Sequence, residues 1–250
     1  MAVFERLLEN YENSEERIRS VEDLILLRAS FLIEKVVSGL KLDFDEAVNL
    51  LKNKGHSLTA KDRQKKELLL AAFDNMVEFA AAQQIRMISE LPKNPDKENL
   101  SIYQSICEKY NLKYATQENE DVLHAVNIAF WWMGVPEECQ VTFMTQADER
   151  VRAWHLSYEG LSFPKNNFPP ELIPPIEFGC RCYLITNGLW SVYGLSDKKK
   201  AISKEMNPVF RESLAKGGRI FSPEHPYFRD ELPEYAGDIV YRIKRKLGVI

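Results

Sequence analysis

The sequence predicts an α+β protein: a predominantly helical N-terminal half, a small α+β module, and an irregular basic C-terminal extension. Three observations predict it. Apolar residues recur at helical spacing through the first 135 residues, strand-like alternation begins after Gly134-Val135-Pro136, and the C-terminal stretch mixes lysines, glycines and aromatics without either rhythm. The expected segments are 1–134, 135–228 and 229–250.

Between Ser14 and Leu40 the apolar residues Ile18, Val21, Leu24, Ile25, Phe31, Leu32 and Val36 follow the pattern of a helix with one buried stripe, and Gly39 suits its end. Asp43 to Leu51 predicts a short second helix closed by Asn53-Lys54-Gly55. Thr59 and Asp62 have capping-box spacing and introduce a long helix to about Glu90. On it Leu69, Ala72, Phe73, Met76, Phe79, Ala80, Gln83 and Met87 form a seam, and Ala80, Ala81 and Ala82 admit a close neighbour. Pro92 and Pro95 end the run, and two helices follow, at about Glu98–Tyr110 and Glu118–Met133. No catalytic motif stands in this half. His56 belongs to a Gly-His-Ser turn, His124 reads as a half-buried helix histidine, and the aromatics Phe130, Trp131 and Trp132 read as core or subunit contact.

In the second segment, Cys139 to Thr145 alternates as a strand does. A short helix from Asp148 to Tyr158, begun near Ala147, and a strand at Gly160 to Phe163 are expected next. On that helix Asp148, Arg152 and His155 lie at i, i+4 and i+7 and share one face. Prolines 164, 169, 170, 174 and 175 keep the following loop extended. Cys180 to Thr186 then reads as a strand with Cys180, Cys182 and Leu184 on one side and Arg181, Tyr183 and Ile185 on the other. A return of this strand onto the helix gathers a histidine, two thiols and several charges in a small volume. Farther on, Gly217-Gly218 and His225-Pro226-Tyr227-Phe228 signal irregular structure clamped by aromatics, with His225 packed on its neighbours.

Composition narrows the class. The chain has 250 residues, 45% apolar and 28% charged, as an ordinary soluble protein does. No window reaches the uninterrupted apolar length of a membrane span, and Glu5 and Glu9 stand where a signal peptide needs an apolar run, so neither membrane residence nor secretion by that route is expected. Four cysteines in a chain this long make no disulfide framework. Counted along the chain, residues 1–135 carry 17 basic and 22 acidic side chains, 136–195 carry 4 and 7, and 196–250 carry 12 and 8. Lys198, Lys199, Lys200, Arg242, Lys244, Arg245 and Lys246 in that last stretch are therefore the candidates for contact with nucleic acid.

Three readings fit the central constellation. His155, Cys180 and Cys182 supply nitrogen and sulfur for zinc, with Glu177 near enough in sequence to add an oxygen. A thiolate activated by His155 would make a nucleophile, with Arg181 lowering a thiol pKa and Asp148 orienting the imidazole, yet no phosphate loop, nucleophile elbow or His-Glu-x-x-His accompanies it. The preferred reading is structural: Asp148 pairs with Arg152, Arg150 or Arg181 reaches loop carbonyls or a carboxylate, and His155 bonds across to the strand. A long proline-laden loop needs such polar clips to hold one shape.

The order Thr145, Asp148, Glu149, Arg150, Val151, Arg152, His155, followed after a loop by Pro174, Pro175, Cys180, Arg181 and Cys182, resembles the phage Mu F-like (MuF) domain of minor head, or head morphogenesis, proteins. The resemblance spans about Val135 to Phe228, including Phe221 and His225 to Phe228. It implies a low-copy structural component of the phage procapsid near the portal, assisting head assembly and DNA packaging or delivery. Its partners would be portal and capsid proteins, docked on the helical half, with DNA touched by the basic tail. It would be found in the virion and, during assembly, in the bacterial cytoplasm. No enzymatic activity, resident cofactor or small-molecule substrate is implied. In one departure, Glu177 stands where family members often have a histidine. The rival class is a small zinc- or thiol-dependent hydrolase, a nuclease-like effector.

Overall fold

The computed structural model describes residues 1–53, 58–96, 99–186 and 206–250, together with the backbone of 192–193. The class is α+β with a helical first half, as the sequence predicts. His56 and Lys198, Lys199 and Lys200 lie outside the described residues.

The helical half comprises α1 (Ala2–Glu9), α2 (Ser14–Gly39), α3 (Phe44–Lys52), α4 (Ala60–Ser89), the short α5 (Gln104–Glu108) and α6 (Ala115–Met133). Local chemistry sets the starts of three of these. The Asn13 side chain accepts from the amides of Glu15 and Glu16, and Asp43/Glu46 and Thr59/Asp62 form reciprocal capping boxes. Helix α1, unforeseen in the sequence, buries Phe4, Leu7 and Leu8 at i, i+3 and i+4. The two helices expected on either side of Tyr110 are continuous instead, joined through a π-helical turn at Lys109–Tyr114. No proline or glycine between Tyr110 and Glu118 interrupts the helix, so it runs on.

The module that follows is a four-stranded sheet with order β3-β1-β2-β4. Strand β1 (Gln140–Met144) pairs antiparallel with β2 (Leu161–Pro164) and with β3 (Tyr183–Thr186), and β4 (Val192–Tyr193) runs parallel to β2. Phe143 stands opposite Leu184 and Val141 opposite Phe163, so the β1 residues that face this core meet apolar partners.

Two apolar cores meet at α6. Val122, Ala125, Val126 and Ala129 belong to the helical core, Ile128 and Trp132 to the sheet core. Gly39 lets α2 pass close to α6, since a Cβ there would lie 2.7 Å from a Val126 methyl. Buried where α2, α4 and α6 meet, Arg28 and Glu118 pair at 2.7 Å. Gln83 and Tyr227 also donate to the Glu118 carboxylate.

The C-terminal part departs from expectation. Val209, Phe210, Leu214, Ile220 and Phe221, placed with the α+β module by the sequence, pack into the helical core. Asn75 of α4 holds them: its carboxamide donates to the Phe221 carbonyl at 3.0 Å and accepts from the Ile220 and Phe221 amides at 2.9 and 3.0 Å. The segment expected as an irregular basic tail contains a helix, α8 (Glu234–Leu247), which buries Ala236, Ile239, Val240 and Ile243. Its cations stand out in the sequence, but this apolar stripe at helical spacing decides the structure.

Candidate functional site

After β1 the chain has the composition of a helix but not its backbone. Thr145 Oγ1 accepts from the Ala147 amide at 3.2 Å, Asp148 Oδ1 accepts from the Arg150 amide at 3.1 Å, and Ala147 has φ of 53°. These short-range bonds offer the backbone an alternative to the helix ladder, and the expected Asp148–Tyr158 helix shrinks to α7 (Ala153–Leu156). Asp148, Arg152 and His155 therefore share no helix face, and the expected Asp148–Arg152 pair does not form.

Each partner reaches the cysteine loop instead. Arg181 grips Asp148 with both terminal nitrogens, at 2.8 and 2.6 Å; Arg152 donates to the Phe178 carbonyl at 2.7 Å; Gln146 donates to the Arg181 carbonyl at 3.0 Å. Thr145, buried, donates to the Glu159 carboxylate. Pro175, also buried, follows a cis peptide bond and leads into the loop. The two motif segments thus close on each other, by a different set of bonds from the one the sequence suggested.

At the centre His155 Nδ1 lies 3.2 Å from Cys182 Sγ, and the ligand-capable atoms of His155, Cys180 and Cys182 all lie within 4.8 Å of one another. All three residues are buried, and all four cysteines are free thiols. The cysteines alternate with Arg181 as expected but precede β3 rather than belonging to it. A hydrogen bond from the Cys182 thiol holds Cys180 well below the usual thiol range despite burial, and the same bond with burial raises Cys182. Glu177 is not part of the set. Its Oε1 accepts from the Phe178 amide at 2.9 Å and from the Asn207 carboxamide at 2.6 Å, which commits it to the loop.

Helix α6 supplies residues to which the sequence reading gave no role at this site. Asp121 Oδ1 accepts from the Gly179 amide at 2.8 Å and from Gln117 at 3.2 Å, while His124 Nε2–H donates to the Cys182 carbonyl at 2.9 Å. Gly179 has φ of 68°, a conformation that favours glycine, and a Cβ there would come within 3.1 Å of the Gln117 carboxamide, so a side chain here would strain the loop against α6. Burial pushes Asp121 up to about 7 and His124 down from the usual imidazole range. The available signal was Gln117, Asp121 and His124 at i, i+4 and i+7, a polar row on one face of the helix. Two buried atoms of this neighbourhood, Asp121 Oδ2 and His155 Nε2, have no hydrogen-bond partner. A cleft of about 330 Å³ opens beside Cys180, lined by Asp121, His124, Arg150 and Arg181.

The basic residues at the C-terminus divide. Arg242 pairs with Glu22 at 2.6 Å, and Lys244, buried, pairs with Asp74 and Glu78, both at 2.6 Å. Lys244, held between two carboxylates, is not a free cation for nucleic acid, which corrects its expected role; Arg242, Arg245 and Lys246 are exposed. His225 packs among Phe79, Phe178 and Phe221, the aromatic environment expected of it.

Comparisons with protein-family models, with curated proteins and with solved structures found no match to this chain.

Proposed function

We propose that the chain is a phage minor head, or head morphogenesis, protein: a low-copy, non-enzymatic component of the procapsid near the portal that assists head assembly and DNA packaging or delivery. The observation that carries this reading is the closure of two motif segments far apart in sequence. Thr145 to His155 and Pro174 to Cys182, the stretches that resemble the MuF domain, meet through Asp148–Arg181, Arg152–Phe178 and His155–Cys182. Residues that act as one rigid module must meet in this way, whereas a chance match in two places need not.

The helical half suits docking on portal or capsid subunits. Leu27, Phe31 and Leu112 are exposed around a groove of about 410 Å³ between α2 and the π-helical turn. In this reading DNA contact falls to Arg242, Arg245, Lys246 and the Lys198–Lys200 run. Among the described residues no helix is long and apolar enough to cross a membrane, and the reading needs none.

Mass spectrometry of nuclease-treated, gradient-purified heads from a lysogen encoding this chain tests the proposal. The chain is expected at a few copies per head in portal-containing fractions, and its absence from heads and procapsids alike would sink the reading. Salt-sensitive DNA binding is expected to fall when Lys198, Lys199, Lys200, Arg242, Arg245 and Lys246 are neutralised. The cleft beside Cys180 favours a second reading, a metal- or thiol-dependent hydrolase acting on nucleic acid. Cleavage of nucleic acid by the purified chain that is lost in His155→Ala would decide for it.

A further inference from the structure

We infer that His155, Cys180 and Cys182 bind one zinc-class divalent ion, and that Asp121 and His124 of α6 are positioning residues that hold the cysteine loop in shape around it. One imidazole and two thiols are a ligand set for soft or borderline metals, and calcium and magnesium are disfavoured by the same chemistry. The three side chains are 2%, 4% and 2% exposed, and their donor atoms already lie within 4.8 Å of one another.

A Cys-x-Cys pair in a regular strand would be a stiff ligand. Here Cys180-Arg181-Cys182 precedes the first paired residue of β3, so no ladder bonds fix it. The backbone of that turn is held from outside: Asp121 accepts from the Gly179 amide, and His124 donates to the Cys182 carbonyl. Such partners orient ligating side chains around a metal.

A second observation points to a ligand. His155 Nε2 is buried without a hydrogen-bond partner, as is Asp121 Oδ2. Buried polar atoms are nearly always paired, and the His155 imidazole, with Nδ1 3.2 Å from the Cys182 sulfur and Nε2 unpaired, has a nitrogen to give to a cation. On binding, each thiol gives up its proton to solvent, and two thiolates balance the dipositive ion. Glu177, held by Phe178 and Asn207, is not a ligand. A cavity of about 10 Å³ lined by His155, Cys182, Arg150, Arg152 and Arg181 lies beside the cluster. Because α6 also walls the helical core, its bonds to the cysteine loop tie the sheet module to the helical half.

This inference stands apart from the head-protein reading, since metal content and location in the particle are measured separately. The full chain, purified under reducing conditions without chelator, is analysed by inductively coupled plasma mass spectrometry and, after exchange, by its cobalt(II) absorption. About one zinc per chain is expected, with thiolate-to-cobalt charge-transfer bands and tetrahedral d–d bands. Cys180→Ser, Cys182→Ser and His155→Ala are each expected to lower zinc content more than about tenfold, whereas Cys139→Ser keeps it. His155→Cys retains the metal with stronger charge transfer, which separates a lost ligand from a misfolded chain. Asp121→Leu and His124→Leu are expected to keep the stoichiometry at saturating zinc while weakening affinity about 10- to 100-fold. A reduced, folded chain that takes up neither zinc nor cobalt overturns the metal site. Unchanged affinity in both α6 variants overturns the positioning role.

Discussion

Arg28 and Glu118 meet at 2.7 Å in the helical core with side chains 2% and 6% exposed, whereas Arg181 and Asp148 meet at 2.6 Å in the sheet module with side chains 35% and 40% exposed. The chemistry of the two pairs is the same and their consequences are not. In the helical core, desolvation holds the Arg28 guanidinium below its usual range and raises Glu118, and Gln83, Asn119 and Tyr227 complete the hydrogen bonding. Removing either partner there strands a charge in a dry interior. In the sheet module each partner stabilises the charge of the other, lowering Asp148 and raising Arg181, but water screens both. The exposed pair contributes geometry to the loop more than free energy to the fold.

Four measurements break or sharpen that comparison. The largest effect is expected from Glu118→Ala, which leaves Arg28 buried without its counter-ion: urea unfolding should show a loss of about 3–5 kcal/mol, and pairing it with Arg28→Met should recover much of this. A loss under about 1 kcal/mol would put the buried pair in the same class as the exposed one.

Next comes the titration of His225, whose pKa burial lowers to about 4 and whose Nδ1 accepts from the Tyr227 amide. A depressed folded-state pKa means that the unfolded chain takes up the proton first. The stabilisation is therefore present above the ordinary imidazole value and is lost as pH falls from about 6.5 through 4, by up to about 3 kcal/mol. His225→Phe should flatten that part of the stability–pH curve, and an unchanged slope would disprove the assignment.

Asn75→Ala, which removes the bonds to Ile220 and Phe221, is expected to lower stability by about 2 kcal/mol. Limited proteolysis near residue 220 should become faster while the sheet module stays intact. The smallest effect belongs to Asp148→Ala, below about 1 kcal/mol by urea unfolding. A loss as large as that of Glu118→Ala would contradict the view that this pair acts locally.

Where the sequence was legible, short-range chemistry controlled the outcome. Thr59 with Asp62 marks the start of α4, and apolar spacing gives α2 its buried face. Part of the candidate site was legible too, because His155, Cys180 and Cys182 are scarce residue types and do come together. The failures have physical causes. Asp148 to Tyr158 has helical composition, but bonds from Thr145 and Asp148 side chains to nearby amides capture the backbone. The apolar stripe of α8 was hidden among its lysines and arginines, and Lys244 was counted as a free cation although two carboxylates lie 2.6 Å away.

The sequence by itself determined the helical first half, the β1 and β3 alternation and the residue types of the cluster, since periodicity and capping act over a few residues. Only the tertiary structure decided that α6 walls both cores, that Asp121 and His124 reach the cysteine loop, that Glu177 turns to Asn207, and that Arg181 rather than Arg152 meets Asp148. Those choices join residues about 30 to 60 positions apart. What selects among such partners is burial and the satisfaction of buried polar atoms, which depend on the whole packed chain and leave no local signature.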